Sequence, residues 1–234
     1  MSKNIGAIVS SRYSSSRLPG KALYNLGGYS TLGLLLERIA SSDLLTHTIL
    51  ATSTDKSDDL VEFSVRKKKC HVFRGPLNDV VCRYAGVAKK FNLDYIVRLT
   101  GDNPFVSGKY IDDYISQIDI NDIRTLYSTR HACPKGLNIE IFSSSILYWL
   151  NDQRLSKSDR EHLTSFLYTS KSPYKVQNLD TPFTDFDYTN PISLSIDSPE
   201  DYINAIKIID AFNNNLLEVQ PCRIFDYYRE FIST

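Results

Sequence analysis

The chain has 234 residues, 42% of them apolar, enough to bury one sizeable core in a single domain spanning 1–234. Lys plus Arg and Asp plus Glu balance at 27 each, so the basic excess of a nucleic-acid binder is missing and nucleic acid is not an expected partner. No apolar stretch reaches membrane-spanning length and no secretory pattern opens the chain, which points to a cytoplasmic protein with no membrane partner.

The first element is the apolar, β-branched run Ile5–Val9, read as a strand buried in a parallel sheet. The polar loop Ser10–Lys21 follows, closing on Pro19-Gly20, and so leaves the carboxyl end of that strand, where open α/β folds place ligands. Backbone N–H groups of such a loop, Ser11 among them, can surround phosphate oxygens. Arg12 and Arg17 add planar two-pronged donors and Lys21 a point charge, together matched to a nucleotide triphosphate. Arg12 or Arg17 taken alone reads equally as a solvated cation. The loop is neither a Walker A sequence nor a dinucleotide fingerprint.

Leu32, Leu35, Leu36, Ile39 and Ala40 then recur at helical spacing, and a strand is expected over 47–52. A helix over about 58–68 ends in Lys67, Lys68 and Lys69, read as a solvated terminus, and leads to a strand over 70–73. Val80, Val81, Tyr84, Ala85, Ala88 and Phe91 mark another helix before the strand Tyr95–Leu99. This β-α-β repetition, with right-handed crossovers, builds a mostly parallel sheet with helices on both faces. The second half predicts a strand over 137–142, helices over 143–151 and 158–169, and extended segments over 174–179 and 192–196. Ser198-Pro199 opens a final helix, which the tract Asn213–Asn215 ends. The aromatic tail containing Phe225, Tyr227, Tyr228 and Phe231 is expected to dock on its own core. Cys70, Cys82, Cys133 and Cys222 form no Cys-x-x-Cys pair and read as reduced.

Asp102, in Thr-Gly-Asp-Asn-Pro after the strand Tyr95–Leu99, falls at the same sheet edge as the cationic loop, as a magnesium ligand would. Asp197 follows the 192–196 segment and reads as a turn or cap residue on its own.

The loop Ser11-Arg12-Tyr13-Ser14-Ser15-Ser16-Arg17-Leu18-Pro19-Gly20-Lys21 resembles the Ala-Arg-x-x-Ser-x-Arg-Leu-Pro-Gly-Lys signature of the nucleotidyltransferases that make CMP-sugars. Further matches occur in order: Ala51–Thr54, Val72–Gly75, Asn78–Tyr84, Val97–Pro104, Gly136–Glu140, Arg160-Glu161-His162 and Ile196–Asp201. Over roughly residues 5–210 the chain is similar to the spore coat polysaccharide biosynthesis cytidylyltransferases, relatives of the CMP-Kdo and CMP-acylneuraminate synthetases.

The resemblance implies an α/β, Rossmann-like three-layer nucleotidyltransferase fold, with a nucleotide-binding part over about 1–107 and an acceptor and dimerisation part over about 108–234. It implies catalysis by Arg12, Lys21 and Asp102, and magnesium held by Asp102 and Asp197. Thr52 and Arg74 would border the cytosine and ribose; Asp79 and Arg83 fall on the helix that follows, where they also read as a cap and its ion-pair partner. Asn138, where relatives carry Asp, would face the acceptor sugar with Glu140, Glu161 and His162. The implied partners are CTP, a sugar acid and a second copy of the chain. A nucleotidyltransferase for sugar or alcohol phosphates and a degenerate nucleotide-sugar binding subunit are the alternatives.

Overall fold

The structure is a computed structural model that describes residues 3–15, 17–183 and 192–232; Ser16 of the cationic loop lies outside them. In chain order its strands and helices are β1 (Ile5–Ser10), β2 (Asn25–Leu26), β3 (Tyr29–Ser30), α1 (Thr31–Ile39), β4 (His47–Ser53), α2 (Asp59–Ser64), β5 (His71–Gly75), α3 (Val80–Lys90), β6 (Tyr95–Thr100), α4 (Gly108–Ile115), β7 (Thr125–Ser128), β8 (Glu140–Ser143), α5 (Ser144–Asp152), α6 (Lys157–Glu161), β9 (Lys175–Asn178), α7 (Pro199–Phe212) and α8 (Pro221–Phe231).

Among the described residues the main sheet has seven strands in the order β5-β4-β1-β6-β8-β7-β9. β8 runs against its neighbours β6 and β7, and the remaining pairs are parallel. Central strands are apolar on both faces because both are covered. On β1, Ala7 and Val9 enter the core beneath α1, α4, α7 and α8, whereas Ile8 enters the opposite core beneath α3 and α5. The β6–β8 pairing carries the sheet from the first half of the chain into the second.

Several expected boundaries shift for local reasons. The helix expected over 58–68 stops at Ser64, and Lys68 instead reaches Glu37 at 2.5 Å. The segment 158–169 is not one helix: α6 is capped by Ser156, and after a break at His162–Thr164 a 3-10 turn spans Ser165–Tyr168. The strand expected from Leu137 begins at Glu140, because Gly136 adopts φ +95° and its N–H is taken by the Asn138 side chain. The 192–196 segment is extended but makes only one isolated bridge, Ser193 with Lys135. The aromatic tail is helix α8; Phe225 is buried, while Phe231 stays 60% exposed. The hairpin β2–β3, with positive φ at Gly27 and Gly28 as its tight turn requires, α4 and β7 were not anticipated. All four cysteines are free.

Candidate active site

The loop after β1 is shaped by backbone chemistry. Gly20 takes φ +72° and donates its N–H to Tyr13 O at 2.9 Å, and the Tyr13 N–H in turn reaches Asp58 Oδ1 at 2.6 Å. Asp58 is fully buried at the start of the α2 segment and also accepts from Thr52 Oγ1 and Ser53 N, each at 2.9 Å. Thr52 therefore holds the floor of the site through Asp58. Ser11 packs at the same edge, where its N–H donates to Ala51 O and a Cβ on Gly101 would meet its side chain at 2.7 Å.

The next residues of the loop meet two aspartates. Lys21 Nζ lies 2.5 Å from Asp102 Oδ2 and 2.7 Å from Asp197 Oδ1. Arg17 approaches Asp197 Oδ1 at 3.0 Å, and Lys135 bonds its Oδ2. Burial works against the Asp197 charge, but Lys135 and Lys21 outweigh it and hold the carboxyl well below the usual aspartate range. Burial likewise opposes the Lys21 charge, and Asp102 and Asp197 raise its pKa in spite of that. Asp197 does not cap α7. Ser198 does, in a capping box with Asp201, whose carboxylate accepts from the N–H groups of Asp197 and Ser198. Asp201 thus fixes the backbone that presents Asp197.

Among the described residues no group of three or more His, Cys, Asp or Glu side chains is arranged for a metal. Two carboxylates that converge on one point of positive charge nevertheless fit magnesium, which takes one or two carboxylates and completes its shell from phosphates and water.

Beside the aspartates opens a polar cavity of about 490 Å³, reached by Asn138, Glu140 and His162 as well as by Asp102 and Asp197. Asn138 Oδ1 accepts from Gly136 N at 3.1 Å, an acceptor role Asp and Asn share, while the Asn amide adds donors in place of a charge. Glu140 is buried and accepts from Arg98, Thr164 and Tyr168.

Other expected contacts are not brought to this cluster. Arg12 pairs with Glu161 at 2.8 Å, and that bond holds the Glu161 carboxyl below its ordinary range; Glu161 does not reach the cavity that His162 lines. Arg74 spends its guanidinium on Ser53 O, Asp55 O, Asp59 and Glu62, a clasp on the α2 segment in place of an open base donor. Asp79 caps α3 through Cys82 N, and its cationic neighbour is Arg160 at 3.5 Å, not Arg83. Arg83 turns to the carbonyls of Pro76 and Leu77. One turn of helix after Asp79 it is buried, and burial lowers its pKa, so that pairing with Asp79 is replaced by backbone capping.

Comparison with known proteins agrees with this arrangement. The family model described as cytidylyltransferase matches residues 6–229. The chain belongs to the cytidylyltransferase family. Among curated proteins it is 32% identical to the spore coat polysaccharide biosynthesis protein SpsF of Bacillus subtilis, over 83% of this chain and 82% of that one. It is also 32% identical to an uncharacterized protein of Methanocaldococcus jannaschii, over 91% of this chain and 87% of that one. Among solved structures, a cytidylyltransferase from Leptospira borgpetersenii superposes with TM-score 0.88 at 29% identity, covering 97% of this chain and 94% of that one. A CMP:2-keto-3-deoxy-manno-octonic acid synthetase complexed with CTP shares the fold, with TM-score 0.65 at 12% identity over 89% of this chain and 99% of that one.

The cytidylyltransferase is thus a CTP-dependent nucleotidyltransferase with a mostly parallel α/β/α sheet. Sequence reasoning missed four of the residues that build its site: Asp58, Arg98, Arg130 and Lys135. Asp58 had a readable signal, an acid placed just beyond a strand ending in Thr52-Ser53. Arg98 had another, a lone cation within an apolar central strand. Arg130 and Lys135 lie in a loop whose path depends on Gly136, and neither had a local signal. No helix among the described residues is long and apolar enough to cross a membrane.

Proposed function

We propose that this cytidylyltransferase couples CTP to a sugar acid of the ulosonate or nonulosonate type, giving a CMP-sugar and pyrophosphate for surface glycan synthesis. The observation that carries the reading is the convergence of Lys21, Asp102 and Asp197 at the carboxyl edge of β1 and β6, against a polar cavity with room for a sugar. The name of the Bacillus subtilis relative, a spore coat polysaccharide biosynthesis protein, supports the glycan assignment, and that of the octonic acid synthetase supports a sugar acid.

In this reaction a sugar hydroxyl attacks the α-phosphorus in line and gives up its proton to water; the new P–O bond forms as the bond between the α-phosphorus and the α–β bridging oxygen breaks, and pyrophosphate departs with that oxygen. Arg12, Arg17 and Lys21 neutralise phosphate charge, and Ser11, whose N–H is held by Ala51 O, offers its hydroxyl as a donor at the same edge. Asp102 and Asp197 would hold magnesium, which when bound polarises the phosphoryl oxygens. Thr52, through Asp58, keeps the loop in place, and Asn138 and His162 meet the acceptor. Arg74, Asp79 and Arg83 support the nucleotide side by fixing the 53–59 and 76–79 segments. Residues from about 1 to 107 form chiefly the nucleotide part, with Arg98 and Asp102 also reaching the acceptor cavity, and those from about 108 to 234 form the acceptor part of one domain, in a cytoplasmic homodimer.

The test is pyrophosphate release with magnesium, each of the four nucleoside triphosphates, and a panel of free sugar acids and sugar phosphates. Release with CTP and a free sugar acid is the expected result. Release only with sugar phosphates, or CTP binding without release, overturns the acceptor assignment.

A further inference from the structure

Arg98 is a cation where the fold calls for an apolar residue. It sits on central strand β6, facing the α3–α5 layer with buried Ile96, and directly opposite it in the antiparallel register stands Glu140. The pair closes at 2.8 Å. A guanidinium at such a place is costly unless it is paired, and its retention calls for a use.

The carboxylate of Glu140 has little capacity left. Oε1 accepts from Tyr168 Oη at 2.7 Å and Thr164 Oγ1 at 3.1 Å; Oε2 accepts from Thr164 Oγ1 at 2.9 Å and from Arg98. Glu140 therefore fixes Arg98 and does not present a free acceptor to sugar hydroxyls. Arg98 spends only one nitrogen on it, has no other side-chain hydrogen bond among the described residues, and lines the cavity.

A second guanidinium shares the same support. Arg130 lies 5.0 Å from the centroid of the Tyr168 ring, the ring whose hydroxyl bonds Glu140, and it has no carboxylate partner among the described residues. It also lines the cavity. With Arg98 paired to Glu140, Lys135 to Asp197 and Asp102 to Lys21, Arg130 leaves about one positive charge of the cavity lining without a paired carboxylate.

We infer that Arg98 and Arg130 form a two-guanidinium clamp for the carboxylate of the acceptor, with Glu140 and Tyr168 as its positioning residues. This rests on the sugar-acid reading and deepens it. A carboxylate matches the planar fork of Arg, and as a monoanion it matches the surplus charge; a phosphate dianion would leave one negative charge over.

The experiment compares eight- and nine-carbon 2-keto sugar acids with their C1 amides, and with sugar 1-phosphates, in pyrophosphate release with CTP and magnesium. The wild-type enzyme is expected to prefer acid to amide by roughly 100-fold in kcat/KM. Arg130→Gln and Arg98→Gln are each expected to shrink that ratio by about tenfold or more, through KM for the acceptor, with KM for CTP unchanged. Arg130→Lys is expected to restore part of it. Arg98→Gln leaves a buried carboxylate less well paired, so a failure of that variant to fold leaves the exposed Arg130 to decide. An acid-to-amide ratio that survives in the Arg130 variants overturns the clamp while the sugar-acid reading stands. Turnover by the wild type of sugar phosphates alone overturns that reading, and the carboxylate clamp with it.

Discussion

The N–H of Ile196 donates to the carbonyl of Asp102 at 2.9 Å, so two segments far apart in the chain are joined by backbone at the point where each presents an aspartate. The backbone that carries Asp197 is thereby held beside Asp102, and three cations, Arg17, Lys21 and Lys135, converge on its one carboxylate, Lys21 sharing itself with Asp102.

Asp197→Asn is therefore expected to destabilise the ligand-free protein by about 1 kcal/mol at neutral pH, because largely buried Lys21 loses one of its two carboxylate partners while the more exposed Arg17 and Lys135 lose theirs at little cost. The folded carboxyl titrates below its ordinary value of 3.8. As pH falls, the unfolded chain takes up that proton first, so the stability Asp197 contributes is whole above this value and is lost as pH drops below it. Urea unfolding across pH should show a constant gap between wild type and variant from about pH 5 to 8, closing in acid. A gap that stays constant into strong acid would mean the carboxylate charge is not what matters.

Asp102→Asn should fold, since Asp102 is partly exposed and its backbone bond to Ile196 is kept. Its turnover should fall by roughly 100-fold or more, the scale of losing a charged group at the reacting phosphates. Unchanged melting with lost pyrophosphate release is the expected pair of results; near-normal release would remove Asp102 from the reaction.

Asp58→Ala should damage the nucleotide side without touching a ligand. It strips acceptors from Tyr13 N, Thr52 Oγ1 and Ser53 N, and leaving such buried donors unpaired costs about 3 kcal/mol in all. The loop that carries Arg12 and Lys21 loses its tether at Tyr13, so KM for CTP should rise along with the drop in melting temperature. A variant that melts early yet binds CTP normally would confine Asp58 to stability.

Much of the first half of this fold was legible because its main-sheet strands are apolar runs separated by amphipathic helices: Ile5–Val9 and Tyr95–Leu99 lie where their burial demands, and only the short β2–β3 hairpin interrupts the alternation. Asp102 could be placed for the same reason, at the end of a strand whose edge was known. The second half was legible only in part. Breaks at His162–Thr164 and at Gly136 depend on contacts with distant segments, and a four-residue strand such as β7 carries too little pattern to announce itself, whereas β9 lies inside the extended segment expected over 174–179. The bonding of Arg74 and Glu140 was not legible, since a motif gives position and the neighbours that saturate a side chain come from elsewhere in the chain.

Gly136 makes the last case, because the position is irreplaceable for two independent reasons. Its φ of +95° is costly for any side chain, and a Cβ there would come within 2.3 Å of Ser195 N and 2.4 Å of Leu194 C, both backbone atoms that cannot rotate away. The same residue sits between Lys135, whose carbonyl takes the Leu194 N–H at 2.7 Å, and the loop that aims Asn138 into the cavity. Gly136→Ala must therefore separate the 135–138 loop from the 193–197 segment. The expected loss is at least about 2 kcal/mol, which for a domain of this size lowers the melting temperature by about 4–8 °C. Because Lys135 and Asp197 move apart in the process, turnover with the best acceptor should fall more than CTP binding does. Equal losses in both would place the damage in the whole sheet edge and not in the acceptor side, and an unchanged melting temperature would contradict the close approach itself.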